Sequence, residues 1–475
     1  MKKVLFAGFE CAPFVKAGGL GDVLGSLPKA LSKKGIDARV VLPFYSSISE
    51  DLTKKFKLKC SVNVPVGWKN SMCDVYEGKL GGVTHYLLKN DTYFSRGSIY
   101  GEFDDAERVA FFSKAALEIL SHINFYPDVF NVNDWHTALI PVYLNVFYRD
   151  IKGYENIKTV LSIHNVEFQG KYDPLILGDV FGLDISHKAV LMYDGCINVL
   201  KGGIESADRI NTVSETYAKE ILTKQFSYGL DGILNPRSYK LNGIVNGIDI
   251  NLYNPETDKA LQYNYGSDNL LNKTLNKKAF QKEMELPVDK DIPMIGMVTR
   301  LTTQKGLSLI KDMLKELSEL PAQFVLIGTG YTEYENMMRF WEWDNRDKVR
   351  SIIAFSQSMA AKIYAASDMF LMPSLVEPCG LAQMIAMRYG AVPIVHMVGG
   401  LADTVEAFNP EAKTGNGITF QSYNGHDMLD AIKRAIELYG NKAVWKILRK
   451  NAMETDFSWD KSADKYIEMY GFAEA

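Results

Sequence analysis

Cysteine is sparse in this 475-residue chain: five residues, Cys11, Cys60, Cys73, Cys196 and Cys379, with no Cys-x-x-Cys pair among them. An odd, scattered set excludes a disulfide framework and a thiolate zinc site, and a reducing cytoplasm is the expected setting. Histidine is equally thin, with seven residues and no His-Glu-x-x-His, so no metal is expected. No uninterrupted apolar run is long enough to span a bilayer, so no membrane partner is expected either. The Met1-Lys2-Lys3 start imitates the charged end of a leader, but Glu10, Pro13 and Lys16 interrupt the apolar stretch. A buried first strand is the better reading. Charge of one sign is also missing. Lys+Arg number 53 against 57 Asp+Glu, a formal net charge of −4, which argues against broad nucleic-acid or anionic-membrane binding. Internal repeats and low-complexity tracts are absent. The first glycine loop lacks the full Gly-x-Gly-x-x-Gly dinucleotide pattern and the Gly-Lys-Ser/Thr end of a P-loop.

What is present is a 47% hydrophobic chain, too long for one core, in which short aliphatic runs alternate with amphipathic helices. Val4 to Phe9 reads as a strand, and Leu20, Val23, Leu24, Leu27 and Leu31 form one face of the helix after it. Strands follow at Ala38 to Leu42, Val129 to Val132, Val160 to Ile163 and Arg209 to Val213. Continuous apolar strands separated by helices predict an α/β fold with a parallel sheet covered on both faces. The stretch from Leu58 to Leu88 alternates instead and predicts antiparallel hairpins, followed by a long loop from Tyr93 to Asp105 and a helix over Ala106 to Ile119. A boundary falls at Gly243 to Asp249, and Asn254 to Asn272 reads as polar connection. A second α/β pattern then runs through strands at Ile292 to Val298, Phe324 to Ile327, Met369 to Met372 and Val392 to Val395. Helices are predicted over Leu307 to Leu317 and Met359 to Ala366. The pattern divides the chain into doubly wound domains at 1–245 and 246–458, with a terminal helix in 459–475.

Open α/β sheets bind ligands beyond the carboxyl ends of their strands, where loops and helix N-termini converge. Those positions carry Lys16, Asp134 and His164 in the first domain and Arg300, Lys305 and Glu377 in the second. Lys16-Ala17-Gly18-Gly19-Leu20-Gly21-Asp22 lets backbone approach a phosphate, although a plain glycine turn fits the same residues. Arg300 and Lys305 offer a donor fork and a mobile point charge for one diphosphate. Glu377, followed by Pro378, Cys379, Gly380 and Leu381, fits contact with sugar hydroxyls or with positive charge at an anomeric carbon; a helix-start carboxylate is the plainer alternative. Asp134 and Glu377 are also conceivable as the acid pair of a hydrolase, since sequence spacing does not set their separation. His136 reads as structural, Cys379 fits burial as well as a site lining, and Asp104-Asp105 reads as a helix cap.

Taken together, the motifs make the chain resemble the bacterial glycogen synthase and plant starch synthase family over nearly its full length. The matching stretches are Lys16 to Val23, Tyr100-Gly-Glu-Phe-Asp-Asp-Ala-Glu-Arg108, Asn133-Asp-Trp-His-Thr-Ala138, Ile163-His-Asn165, Gly229-Leu-Asp-Gly232, Gly243 to Asp249, Thr299-Arg-Leu301 with Gln304-Lys-Gly306, and Glu377 to Leu381. The resemblance implies a GT-B fold of glycosyltransferase family 5, two facing Rossmann-like domains with the active site in a cleft and the terminal helix returning to the first. It implies retaining transfer of glucose from ADP-glucose to the non-reducing 4-hydroxyl of an α-1,4-glucan, with no cofactor beyond the donor and no metal. Lys16, Arg300 and Lys305 would hold the diphosphate, with Asp22, Cys379 and the amides of Gly18, Gly19, Gly380 and Leu381 around it. Asp134, His164 and Glu377 would surround the transferring glucose. Four positions depart from the family pattern: Ala382 stands for threonine, Leu375 and His396 for arginine, and Val398 for threonine. The fold is expected to tolerate these changes, while donor affinity and turnover are where they would act. A glucan-binding paralogue with reduced catalysis, and a transferase with a different acceptor, are the alternatives.

Overall fold

The computed structural model describes residues 1–472. The chain forms two compact units, one of Met1–Gly247 with the segment from Trp459 onward, the other of Ile248–Ser458. In the first unit the strands are β1 (Lys3–Ala7), β2 (Asp37–Pro43), β3 (Lys57–Val66), β4 (Lys69–Leu80), β5 (Val83–Lys89), β6 (Val129–Asn133) and β7 (Lys158–Ile163). They continue with β8 (Lys171–Tyr172), β9 (Met192–Tyr193), β10 (Cys196–Asn198), β11 (Arg209–Thr212) and β12 (Leu241–Gly243). Nine of them make one sheet in the order β12-β11-β7-β6-β1-β2-β5-β4-β3, and β8, β10 and β9 make a small antiparallel sheet beside it. The large sheet is parallel from β12 to β5 and antiparallel through β4 and β3.

Burial explains both textures. Val4, Leu5, Phe6 and Ala7 of β1 are wholly buried, as a strand covered on both faces must be. In β3, Val62, Val64 and Val66 are buried while Ser61, Asn63 and Pro65 face solvent, the alternation of a sheet with one wet face. The helix Gly19–Lys33 buries the predicted Leu20, Val23, Leu24, Leu27 and Leu31. The terminal helix Trp459–Met469 packs against it. That helix is pinned to the first unit by Asn211, which donates to the Tyr466 hydroxyl at 2.9 Å, and by Ser462, which donates to the Val245 carbonyl at 2.7 Å.

The second unit holds β13 (Met294–Val298), β14 (Gln323–Ile327), β15 (Val349–Ile352), β16 (Met369–Met372), β17 (Val392–His396) and β18 (Ile418–Phe420). All six are parallel, in the order β15-β14-β13-β16-β17-β18. Two expectations are corrected here. The single helix over Leu307 to Leu317 is two, Leu307–Asp312 and Leu314–Glu319, broken at Met313. The polar connection ends in a helix, Leu271–Glu283, whose buried residues are Lys273, Asn276, Lys277, Phe280 and Gln281. A helix that buries ammonium and amide groups has no apolar stripe to detect. It is held by specific bonds instead: Lys277 donates to Asp368 at 2.6 Å and to the carbonyls of Lys290 and Ile292.

Candidate active site

In the second unit the site grows from the ends of the adjacent strands β13 and β16. After β13 the chain makes a tight turn, Thr303–Lys305, and leaves it through Gly306 at φ +78°. A Cβ on Gly306 would stand 1.9 Å from the Pro373 carbonyl oxygen, so only glycine lets this turn lie on the loop after β16. Leu375 donates its amide to the Gln304 carbonyl at 2.9 Å and locks the two loops together. The result is a paired charge: Lys305 Nζ lies 2.8 and 2.6 Å from the two carboxylate oxygens of Glu377. Ser374 donates to the same carboxylate at 3.0 Å, and the Gly400 amide donates to the Glu377 carbonyl at 3.0 Å. Glu377 is buried and Lys305 only partly so, which leaves the ammonium as the reachable end of the pair.

Arg300 also follows β13. Its guanidinium is exposed and, among the described residues, makes no hydrogen bond or ion pair. Cys379 is buried, Gly380 turns at φ +73°, and Leu381 caps the helix Ala382–Arg388.

In the first unit the site grows from the ends of β1, β6 and β7, which are neighbours in the sheet. Asp134 leaves β6 at φ +58°, a conformation that costs a non-glycine residue on the order of 1–3 kcal/mol and is concentrated at functional sites. Its carboxylate accepts the His164 amide at 2.7 Å. Burial, assisted by the nearby Glu10, pushes its pKa up to about 7 against the pull of the His164 and Asn165 amides. His164 is held neutral, its pKa pushed down to about 4 by burial. Its Nε2 lies 2.9 Å from Asn133 Oδ1, and Asn133 donates its own amide to the Ala7 carbonyl. That orientation makes Nε2 the donor and leaves Nδ1 as an acceptor.

The glycine loop differs from expectation in an instructive way. The amides of Ala17 and Gly18 are already taken, both donating to Glu10 Oε2 at 2.6 and 2.7 Å. Tyr100 donates to the other Glu10 oxygen at 2.7 Å. Gly18 is therefore bound internally, and Lys16 pairs with Asp22 at 2.7 Å, so both stand in a prearranged network rather than open. Gly19 begins the helix Gly19–Lys33, where first-turn amides lack intrahelical acceptors. In the sequence Glu10 stands out only as a charge that breaks an apolar run. A carboxylate eight residues ahead of a Gly-Gly helix start is the available signal. Tyr100 is visible only as the first residue of a matching stretch. Ser374, which orients Glu377, carries no signal that separates it from an ordinary loop residue; Asn133, which orients His164, ends β6 and stands out in the sequence only as the start of a matching stretch. His136, as expected, is structural: it is buried and packs on Phe9, Tyr100 and Trp135.

Asp134 gives a pH signature with a definite sign. Between its ordinary value near 3.8 and about 7, the folded state holds a proton that the unfolded state releases. Its contribution to stability is thus fully present below about 3.8 and is lost as pH rises through about 7. Asp134→Asn lacks this dependence. Its midpoint relative to the parent chain should climb from pH 5 to pH 8 in calorimetry, and a constant difference would remove the buried-acid reading.

Two family models match in sequence order: starch synthase catalytic domain over residues 3–236, and glycosyl transferases group 1 over residues 279–453. Glycogen synthase of Bacillus cereus (strain Q1) is 46% identical over 469 residues, covering 98% of both chains. The chain belongs to the glycogen synthase family. Glycogen synthase of Clostridium perfringens (strain 13 / Type A) is 48% identical, again over 98% of both. The catalytic domain of starch synthase IV from Arabidopsis thaliana, solved with ADP and acarbose, superposes with a TM-score of 0.91 at 34% identity, covering 99% of this chain and 98% of that one. Two Rossmann-like α/β units of the GT-B type are the architecture of this family of glycosyltransferases.

Leu375, Ala382, His396 and Val398, which the resemblance marks as unusual, lie on the loop of Glu377 and on the strand end and helix start that contact it. His396 is buried, with Nδ1 2.7 Å from the Ser374 carbonyl and Nε2 3.2 Å from the Gln421 carbonyl, so it braces the serine that orients the glutamate. Val398 occupies the cap position of the helix Gly399–Thr404 and makes no side-chain cap bond, a role a threonine there fills. Ala382 opens the helix after Leu381 without a hydroxyl, and Leu375 serves the site through its backbone. Among the described residues no helix is long and apolar enough to cross a membrane, and no three His, Cys, Asp or Glu side chains cluster as metal ligands.

Proposed function

We propose that this chain is a working glycogen synthase, moving glucose from ADP-glucose to the non-reducing 4-hydroxyl of an α-1,4-glucan with retention and releasing ADP. The observation that carries the reading is the Lys305–Glu377 pair at adjoining strand ends, in a chain at 46–48% identity to glycogen synthases over its length. Lys305 has three N–H donors and spends two on Glu377, so the third remains for a phosphate oxygen. Arg300 adds the donor fork. As the bond from the anomeric carbon to the diphosphate breaks, charge gathers on the distal phosphate, and these two cations stabilise that state more than the bound donor. The leaving phosphate oxygen takes the proton of the acceptor hydroxyl while the new bond forms on the same face, so no side chain attacks the sugar. Glu377 faces the positive anomeric centre. In the second unit the Gly380 and Leu381 amides serve the donor phosphate; in the first, Asp134 and the Nδ1 acceptor of His164 orient hydroxyls, while Lys16, steered by Asp22, and the Gly19 amide offer donors to phosphate. Cys379 is buried in the loop of Gly380 and Leu381. The reaction so drawn uses no metal and no cofactor beyond the donor, and the protein acts in the cytoplasm.

Elongation of a malto-oligosaccharide by labelled ADP-glucose, run beside UDP-glucose, tests the proposal. Longer chains with the ADP donor are expected, and absence of glucan product with either would refute it. Ala382 favours one second reading, a glucan-binding paralogue with weakened transfer, because the loop lacks a hydroxyl donor. Ala382→Thr should then lower KM for ADP-glucose by roughly three- to tenfold, the worth of one added hydrogen bond. An unchanged KM and kcat would show the alanine to be incidental.

A further inference from the structure

We infer that the second unit carries a phosphate-binding site built on the helix Lys442–Glu454, apart from the site already described. A cavity of about 270 Å³ opens beside this helix, and its walls bring six cationic side chains against two carboxylates, Asp291 and Asp368. Most of the cations are already spoken for. Lys273 gives its three donors to the carbonyls of Tyr364, Ala365 and Tyr389. Lys277 bonds Asp368, two carbonyls and the Tyr439 hydroxyl. Lys290 and Lys442 share Asp291, at 2.9 and 3.6 Å. Arg449 reaches Asp368 with one terminal nitrogen at 3.1 Å, the same carboxylate that Lys277 holds.

Three donors are left over. Arg449 Nε and the indole Nε1 of Trp445 are buried and make no hydrogen bond among the described residues. A buried donor left without an acceptor is unfavourable unless something fills its place. Lys446 is exposed and, among the described residues, has no carboxylate at ion-pair distance. Residues 442, 445, 446 and 449 recur at the spacing of one helical face, so these groups point the same way. Two cationic donors and one neutral indole N–H in a concave, net-positive pocket match a compact oxyanion with several acceptor oxygens. A neutral sugar is a poorer occupant, because the Tyr439 ring that would serve as its platform is covered by Lys442 at 3.6 Å. A polyanionic strand needs a longer groove than this cavity. The chemistry is that of phosphate, either inorganic or as the monoester of a small metabolite.

The test is calorimetric titration of the whole protein with inorganic phosphate and, separately, with glycerol 3-phosphate. It is run at constant ionic strength with saturating ADP, so that the proposed donor site is occupied. Saturable binding is expected, with an unfolding midpoint raised by roughly 2–4 °C at ligand concentrations several times Kd. Lys446→Glu and Trp445→Phe should each weaken it about tenfold or more, as loss of one charge-assisted bond does. Tighter binding of the monoester assigns the pocket to a phosphorylated metabolite, and equal affinity assigns it to free phosphate. No saturable binding, or the same affinity in both variants as in the parent, overturns the inference. Because Lys446→Glu leaves the proposed transfer residues intact, its glucosyl-transfer rate without phosphate should match the parent's. Failure here therefore leaves the proposed function standing.

Discussion

Lys305→Ala is expected to lower kcat for glucosyl transfer by roughly 10²- to 10³-fold, the scale seen when one preorganised donor to a developing negative charge is lost. The substitution also strands a charge. The Glu377 side chain is only 6% exposed and would keep a single hydroxyl donor, Ser374. Removing one partner of a buried pair costs roughly 3 kcal/mol or more, so lost activity alone would not separate a catalytic role from a structural one. Kinetics well below the single variant's own midpoint separate them: a lysine that only adds stability leaves the folded enzyme with the parent's kcat, whereas a lysine at the diphosphate leaves kcat low. In the double variant Lys305→Ala/Glu377→Gln, stability should return to within about 1–2 kcal/mol of the parent, since a neutral replacement of a buried pair is often well tolerated. Its transfer should be no higher than the single variant's, because Glu377 is itself placed at the sugar. If the folded single variant keeps the parent's kcat, Lys305 contributes only stability, and its place at the diphosphate is withdrawn.

The same pair shows what a sequence displays and what it hides. Lys305 and Glu377 announce themselves because each follows an apolar strand, and β13 and β16 are neighbours whose carboxyl ends must meet. The geometry that joins them was not visible. It depends on Gly306 lying against the Pro373 carbonyl and on Leu375 reaching Gln304, contacts between segments about 70 residues apart with no local pattern. The parallel strands were legible for a simple reason: burial on both faces writes a continuous apolar run. The helix Leu271–Glu283 was not, because Lys273, Lys277 and Gln281 fill its inner face and its stability is specified by distant carbonyls and Asp368. Glu10 is the most informative omission. Its position after β1 was plain, but that its carboxylate would fold back onto the loop amides depends on Tyr100, 90 residues further on.

Arg108 carries the largest expected effect on stability, and its reasoning runs through that same loop. Its side chain is wholly inaccessible on the helix Asp105–His122. Nε donates to the Tyr93 carbonyl at 2.9 Å, and Nη1 donates to the Ile99 carbonyl at 3.2 Å and to Asp105 at 2.5 Å. One guanidinium thus closes both ends of the segment between Tyr93 and Asp105, which the sequence marks as a long loop without periodicity. Tyr100 sits inside that segment and donates to Glu10, which in turn holds the amides of Ala17 and Gly18. Arg108→Met keeps most of the apolar stem but strips the Tyr93 and Ile99 carbonyls of this donor and leaves the Asp105 carboxylate with the Gly101 amide and no cation. A loss of roughly 3–5 kcal/mol is expected, read as a lower denaturant midpoint for the first unit. Tyr100→Phe removes only the last link. It should cost about 1 kcal/mol in stability while raising KM for the donor, because the Lys16 to Asp22 loop loses its anchor without unfolding. If Arg108→Met shifts the midpoint by less than about 1 kcal/mol, the loop is held by its aromatic packing on Phe9 and Phe112 instead, and the chain of bonds from Arg108 to the glycine loop does not control the site.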